Sequence, residues 1–111
     1  MNDILKIYKL LSDETRLRVI LLLLTESLCV CEICGILQIP QPKVSKSLSK
    51  FRDLSLVVDD RKDKFVFYSL AKNNPLFIET LNVILSSIND YPLLNEDQKR
   101  LTSKNDYAQR K

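Results

Sequence analysis

The sequence predicts a mostly helical domain that carries one small β-hairpin. Glycine occurs once, at Gly35, and proline only four times in 111 residues, so the punctuation of a many-stranded sheet is scarce. Apolar residues recur at helical spacing through most of the chain. In the middle the period changes, where Leu56-Val57-Val58 and Phe65-Val66-Phe67-Tyr68 form β-branched and aromatic runs.

Ile4, Leu5, Tyr8 and Leu11 share one face, which predicts a short amphipathic helix at the start. Ser12-Asp13 then offers an N-cap, with Glu14 in the first turn, where the helix dipole favours an acid. Leu17, Ile20, Leu21 and Leu24 carry the apolar face of a second helix. It is apolar nearly all round at its end and is expected to be buried. A short third helix is expected over residues 30–37, then a turn at Gln38-Ile39-Pro40. Pro42 suits the first position of a fourth helix, with Gln41 before it.

In that fourth helix Val44, Leu48 and Phe51 form a core stripe, while Lys43, Lys46 and Lys50 lie on another face, with Ser45, Ser47 and Ser49 between them. The two β-type runs flank the polar stretch 59–64 and predict a hairpin with a charged tip. Asn73-Asn74-Pro75 opens a further helix, whose broad apolar face holds Leu76, Phe77, Leu81, Ile84, Leu85 and Ile88. After Tyr91-Pro92 the composition turns polar. The expected organisation is one domain over 1–92 and a frayed polar tail over 93–111. Two helices joined by a tight turn and followed by a hairpin describe a winged helix-turn-helix. Its second helix would enter the major groove of DNA.

Composition sets limits. The chain is 45% hydrophobic, enough for a modest core, and a chain of this size gains stability by pairing with a copy of itself. A net charge of +3 is only mildly basic. Its distribution is more telling: seven Lys or Arg stand against four Asp between Lys43 and Lys64, compatible with a phosphate-facing surface. The longest apolar run, residues 19–24, is far short of the roughly 20 residues of a membrane span. Met1-Asn2-Asp3 lacks the basic start of an export signal. The expected location is the cytoplasm, with no membrane partner.

The sharpest chemical signal is Cys29-Val30-Cys31-Glu32-Ile33-Cys34. These are the only cysteines, and histidine is absent. Such a segment can place three thiolates around one soft ion. On a regular helix Cys31 and Cys34 share a face and Cys29 does not. The three sulfurs therefore meet only if Cys29 lies outside the helix or the helix start unwinds. A helix N-terminus also lowers a thiol pKa, which favours the ligating form. Structural zinc usually takes four ligands, and a fourth is missing unless Glu32, expected to face solvent, supplies it. The competing readings are small buried side chains, a redox sensor, a sensor of another soft metal such as Cd, Cu(I) or Bi, or a metal-buffering thiol protein without DNA binding. An enzyme is not expected: there is no histidine base, no C-x-x-C beside a βαβ pattern and no phosphate-binding glycine loop.

Three stretches together resemble the ArsR/SmtB family of metal-sensing repressors over residues 3–90. Leu11-Ser12-Asp13-Glu14-Thr15-Arg16-Leu17-Arg18 resembles the family's entry to its second helix. Gln41-Pro42-Lys43-Val44-Ser45-Lys46-Ser47-Leu48 resembles its recognition helix. Leu28-Cys29-Val30-Cys31-Glu32-Ile33-Cys34 is similar to the arsenic- and antimony-responsive branch. The resemblance implies a homodimeric repressor that binds operator double-stranded DNA. Release follows when trivalent arsenic or antimony, held by Cys29, Cys31 and Cys34, acts as inducer. Lys46-Ser47 departs from the Arg-His often found in the family, and Asp59-Asp60 makes the wing less positive.

DNA contacts are expected from Gln41, Lys43, Ser45, Lys46, Ser49 and Lys50 on the fourth helix and from Arg61 and Lys62 on the wing. The resemblance favours a dimer seam over an intramolecular core for the apolar faces of the outer helices: Ile4, Leu5, Tyr8, Leu81, Ile84, Leu85 and Ile88. The family's second metal site, on the last helix, needs histidine and is expected to be absent.

Overall fold

The computed structural model describes residues 2–103. Its element order is α1 (Asn2–Leu11), α2 (Glu14–Thr25), β1 (Leu28–Cys29), α3 (Val30–Leu37), α4 (Gln41–Asp53), β2 (Val57–Lys62), β3 (Phe65–Leu70), α5 (Pro75–Ser86), a short 3₁₀ turn (Ile88–Asp90) and α6 (Pro92–Thr102).

Local chemistry explains the boundaries. The Asp13 carboxylate accepts the Arg16 N–H at 3.0 Å and starts α2. Asn74 does the same for Phe77 at 3.2 Å and starts α5, with Pro75 following it. In α4 Pro42 falls at the second helical position, one place later than expected, because Pro40 caps the helix and Gln41 is already helical. Helix α4 ends in a Schellman motif: Leu56 N–H donates to Phe51 C=O at 3.0 Å and Ser55 N–H to Arg52 C=O at 2.9 Å. Ser55 sits at φ 59, where glycine is the usual choice. The motif turns the chain so that buried Leu56 leads directly into β2.

Helix α2 is the centre of the core, with Val19, Ile20, Leu21, Leu22 and Leu23 almost wholly buried. Helices α1, α3, α4, α5 and α6 all pack against it. Phe51 of α4 and Phe77 of α5 meet in the interior with ring centroids 6.2 Å apart. The hairpin is longer than expected and turns on only Asp63 and Lys64, with Lys62 paired to Phe65. Asp63 takes the left-handed conformation at φ 57, which an Asp tolerates better than most residues.

Two features depart from the sequence reading. First, the sheet has three strands, in the order β1-β3-β2, because Leu28 and Cys29 pair antiparallel with Tyr68 and Phe67. Second, the expected polar tail is a packed helix as far as Thr102. Leu101 is buried, and the buried Asp97 carboxylate receives both Nε and Nη2 of Arg18 at 2.9 Å. Arg18 also donates to Leu37 C=O at 3.1 Å, and Arg100 to Ile36 C=O at 3.4 Å. Helix α6 therefore holds the C-terminal end of α3. Residues 104–111 of the expected tail lie outside the described residues. Among the described residues no helix is long and apolar enough to cross a membrane.

Candidate thiol site and nucleic-acid interface

Cys29 closes β1 and caps α3, with extended backbone at φ −89 and ψ 166. Of the two routes by which the sulfurs could meet, the fold takes the first: Cys29 lies outside the helix. Its sulfur is 3.0 Å from that of Cys31. Two thiolates each about 2.3 Å from one ion stand roughly 3–4 Å apart, so this pair suits a shared thiophilic ligand. Cys34, one turn further on, lines the same cleft. Among the described residues, however, no three Cys, Asp or Glu groups are placed to hold an ion together. None of the cysteines is disulfide-bonded.

Glu32 corrects an expectation. It is buried rather than solvent-facing, and its Oε1 accepts the Cys29 N–H at 3.1 Å, a capping-box arrangement that fixes the strand-to-helix junction. The thiols correct another. Against the expected lowering, burial pushes the Cys29 thiol up to about 11, aided by its contact with Cys31 and opposed by the Glu32 N–H. Burial, then the neighbouring Cys31, raises Cys34 as well. Desolvation thus outweighs the backbone N–H donors at Cys29 and Cys34.

The cleft is about 630 Å³ and is shared by three elements. Cys29, Val30, Cys31 and Cys34 form one wall, Gln41 and Ser45 of α4 another, and Lys64, Phe65, Val66 and Tyr68 of the wing a third. Lys43, Lys46 and Lys50 line a separate cleft on the other flank of α4, together with Asp13, Thr15 and Arg16 at the start of α2. Gln41, Lys43, Lys46, Ser49 and Lys50 are exposed and Ser45 is half-buried, so the expected reading face is open to solvent.

Arg61 and Lys62 are exposed on β2, but as neighbours in a strand they point to opposite faces. Lys62 Nζ lies 6.0 Å from the centroid of the Phe67 ring. The cation at the turn itself is Lys64, which the sequence reading passed over; only the two-residue turn reveals its position. Asp59 is paired with Arg52 at 3.2 Å, which offsets part of the wing's negative charge.

The outer helices form a second surface. Tyr8 of α1 and Thr80 of α5 hydrogen-bond at 3.2 Å on the exposed surface. Ile4, Leu5 and Tyr8 are exposed there, while Ile84, Leu85 and Ile88 are half-buried. Leu81 does not belong with them: it is fully buried in the protomer's own core, because it lies on the same α5 face as Phe77. The exposed α5 row is instead Leu76 and Val83, the latter 65% exposed.

These elements define a winged helix-turn-helix regulator, with α3 and α4 as the helix pair and β2 and β3 as the wing. The family profile for bacterial regulatory proteins of the arsR family matches residues 13–58. An arsenic resistance transcriptional regulator of Pseudomonas putida, ArsR1, is 37% identical over 68% of this chain and 59% of its own length. The arsenical resistance operon repressor of Escherichia coli is 40% identical over 64% of this chain and 62% of its own. The matched segment therefore spans about three-fifths of each of these two relatives. A second P. putida regulator, ArsR2, is 39% identical over 73% of this chain and 72% of its own length. Among solved structures, HlyU of Vibrio cholerae superposes with a TM-score of 0.70 at 23% identity, over 81% of this chain and 90% of that one. The chain belongs to the ArsR family.

Proposed function

We propose that the protein is a transcriptional repressor that grips operator DNA as a homodimer and lets go when trivalent arsenic or antimony binds Cys29, Cys31 and Cys34. The observation that carries this reading is the shared cleft, in which all three cysteines face the N-terminus of α4 and the tip of the wing. The arsenic resistance regulators among its relatives support the same ligand class. Helix α4 enters the major groove with Gln41, Ser45, Lys46 and Ser49 toward the bases. Lys43 and Lys50 meet phosphate on the flank facing α2, and Arg61, Lys62 and Lys64 meet backbone beside it. Ile4, Leu5 and Tyr8 of α1 with Leu76 and Val83 of α5 form the dimer seam, Ile84, Leu85 and Ile88 lying at its edge.

Arsenous acid carries three hydroxyls, and each condenses with one thiol and leaves as water. With Cys29 and Cys31 in contact, full ligation draws Cys34 toward them and deforms the first turn of α3. That turn and the start of α4 are walls of one cleft, so the deformation shifts the DNA-reading face.

The contact between Cys29 and Cys31 also fits a redox sensor that forms a disulfide. A sensor thiol needs open access to its oxidant, and Cys29 is buried.

The test is fluorescence anisotropy on a labelled operator selected from random duplexes. Arsenite releases the wild-type protein. Cys31→Ser and Cys34→Ser bind the operator equally well and are no longer released. Release of either variant by the same arsenite concentration would refute the reading, and release of the wild type by peroxide alone would favour the redox sensor.

A further inference from the structure

We propose that a basic face of α1, built on Lys6 and Lys9, holds the DNA backbone at the centre of the operator, between the half-sites read by the two copies of α4. The proposal rests on the reading of the protein as a dimeric DNA-binding repressor and extends its contact surface beyond α4 and the wing.

Two clefts carry it. One, of about 420 Å³, lies between α4 and the start of α2 and is lined by Lys43, Lys46, Lys50 and Arg16. The other, of about 290 Å³, lies between α1 and the end of α4 and is lined by Lys6, Lys9, Lys50 and Arg16. Lys50 and Arg16 belong to both, so the two form one continuous strip from the reading helix onto α1. Six cations there face two carboxylates, Asp13 and Asp53. Asp13 is turned to the Arg16 backbone N–H as the cap of α2. Among the described residues none of the five lysines is ion-paired. Unpaired like charges on one face repel each other, and a polyanion laid along them relieves the repulsion.

Arg16 fixes the strip. Its Nε donates to Leu10 C=O at 2.8 Å and its Nη2 to Lys9 C=O at 3.4 Å. Those carbonyls are the negative end of α1, and the guanidinium offsets that end where a phosphate would pass. The same bonds hold the last turn of α1 to α2. Lys6 and Lys9 are exposed and lie at i and i+3 on one face, beside the end of α4.

The dimer sets where this face falls on DNA. Ile4, Leu5 and Tyr8 belong to the proposed seam, and a two-fold axis passes through a seam between identical patches. Lys6 and Lys9 occupy the adjacent face of the same helix. The strip therefore runs from α4 toward the dyad, and its counterpart is the backbone between the half-sites rather than the outer flanks. Half-sites stand about one helical turn, ~34 Å, apart, which leaves a central segment between the two recognition helices.

The experiment measures operator affinity of the full chain by fluorescence anisotropy between about 50 and 200 mM salt. The double variant Lys6→Gln, Lys9→Gln removes two charges from each protomer. At about −0.9 per phosphate, the slope of log K against log salt is expected to fall by about 3–4 for the dimer. Across that range the wild type then loses about 100-fold more affinity than the variant. Lys72→Gln is the control: Lys72 lines a cleft at the opposite end of α2, and its loss should change the slope by under about 0.5. Asp53→Asn removes a carboxylate that opposes the strip and should tighten binding about twofold to fivefold. Ethylation of phosphates between the half-sites should weaken the wild type and leave the double variant unaffected. An unchanged slope in the double variant, or interference only outside the half-sites, overturns the proposal and leaves the repressor reading intact. An equal slope loss per charge in Lys72→Gln would mean a net-charge effect and overturns it as well. A wild-type chain that binds no duplex overturns the proposal and the underlying function together.

Discussion

Replacing Asp97 by alanine leaves the Arg18 guanidinium without its carboxylate in a site that water hardly reaches. Asp97 is 2% exposed, and Arg18 meets it with two hydrogen bonds of 2.9 Å. Pairing wins over burial here: the hydrogen bond to Asp97 raises the Arg18 pKa more than desolvation lowers it. Removing one partner of a buried pair costs about 3–5 kcal/mol, a large share of the ~5–15 kcal/mol that holds a domain together. Arg18 keeps its bond to Leu37 C=O at 3.1 Å, so the loss belongs near the lower bound, about 3 kcal/mol. The isosteric apolar pair, Arg18→Met with Asp97→Leu, strands no charge and should cost under about 2 kcal/mol. The double variant is then more stable than either single one. Urea unfolding at fixed protein concentration reads all three. The reasoning is refuted if Asp97→Ala costs under about 1 kcal/mol, or if the double variant loses the sum of its two components.

Ser55→Gly relieves a left-handed backbone at the end of α4 and should raise stability by about 0.5–1 kcal/mol, measured by thermal melting; a lower melting temperature would contradict the Schellman assignment. The Cys29 thiol, pushed up to about 11 by burial, keeps its proton in the folded protein at pH values where the unfolded chain has lost it. The unfolded state then binds fewer protons, so the reduced protein loses stability as pH rises from about 9 to about 11. Cys29→Ser removes most of that slope in melting scans. Val83→Asp should shift sedimentation from dimer to monomer with little change in protomer circular dichroism, because Val83 is exposed. Leu81→Asp should unfold the chain outright, and a folded Leu81→Asp monomer would mean that the burial of Leu81 is misread.

Much of this architecture is written locally. Asp13 and Asn74 signal helix starts because a short polar side chain bonds the backbone three residues on, a relation that needs no tertiary context. Residues 30–37 were expected to be helical and are. What stayed hidden depends on distant partners. Strand β1 has two residues and exists only because β3 lies alongside. Helix α6 reads as a polar tail because its anchor is an ion pair between residues 79 positions apart. The apolar band of α5 is wide enough to face both core and partner. Periodicity cannot say that Leu81 is buried in the core and Val83 exposed. At the candidate thiol site the sequence revealed the three cysteines, and the requirement that Cys29 lie outside the helix if the sulfurs are to meet followed from helical geometry. It did not reveal the burial that raises the Cys29 and Cys34 thiols or encloses Glu32, since both depend on tertiary packing.

The same distant contacts decide which way a strained α3 can move. Its last turn is held at Leu37 C=O by Arg18, itself clamped by Asp97, and at Ile36 C=O by Arg100. At its first turn the Cys29 N–H donates to Glu32, and β1 pairs with β3 over two residues. On the proposed function, a ligand that draws Cys34 toward Cys29 therefore meets resistance at the C-terminal end and yields at the N-terminal end. There the backbone lines the same cleft as Gln41, Ser45 and Lys64. The displacement is directed into the DNA-reading edge over the width of one cleft. The coupling needs no path through the dimer seam, and weakening the clamp with Asp97→Asn should spread the strain along α3 and lower the arsenite response more than the operator affinity.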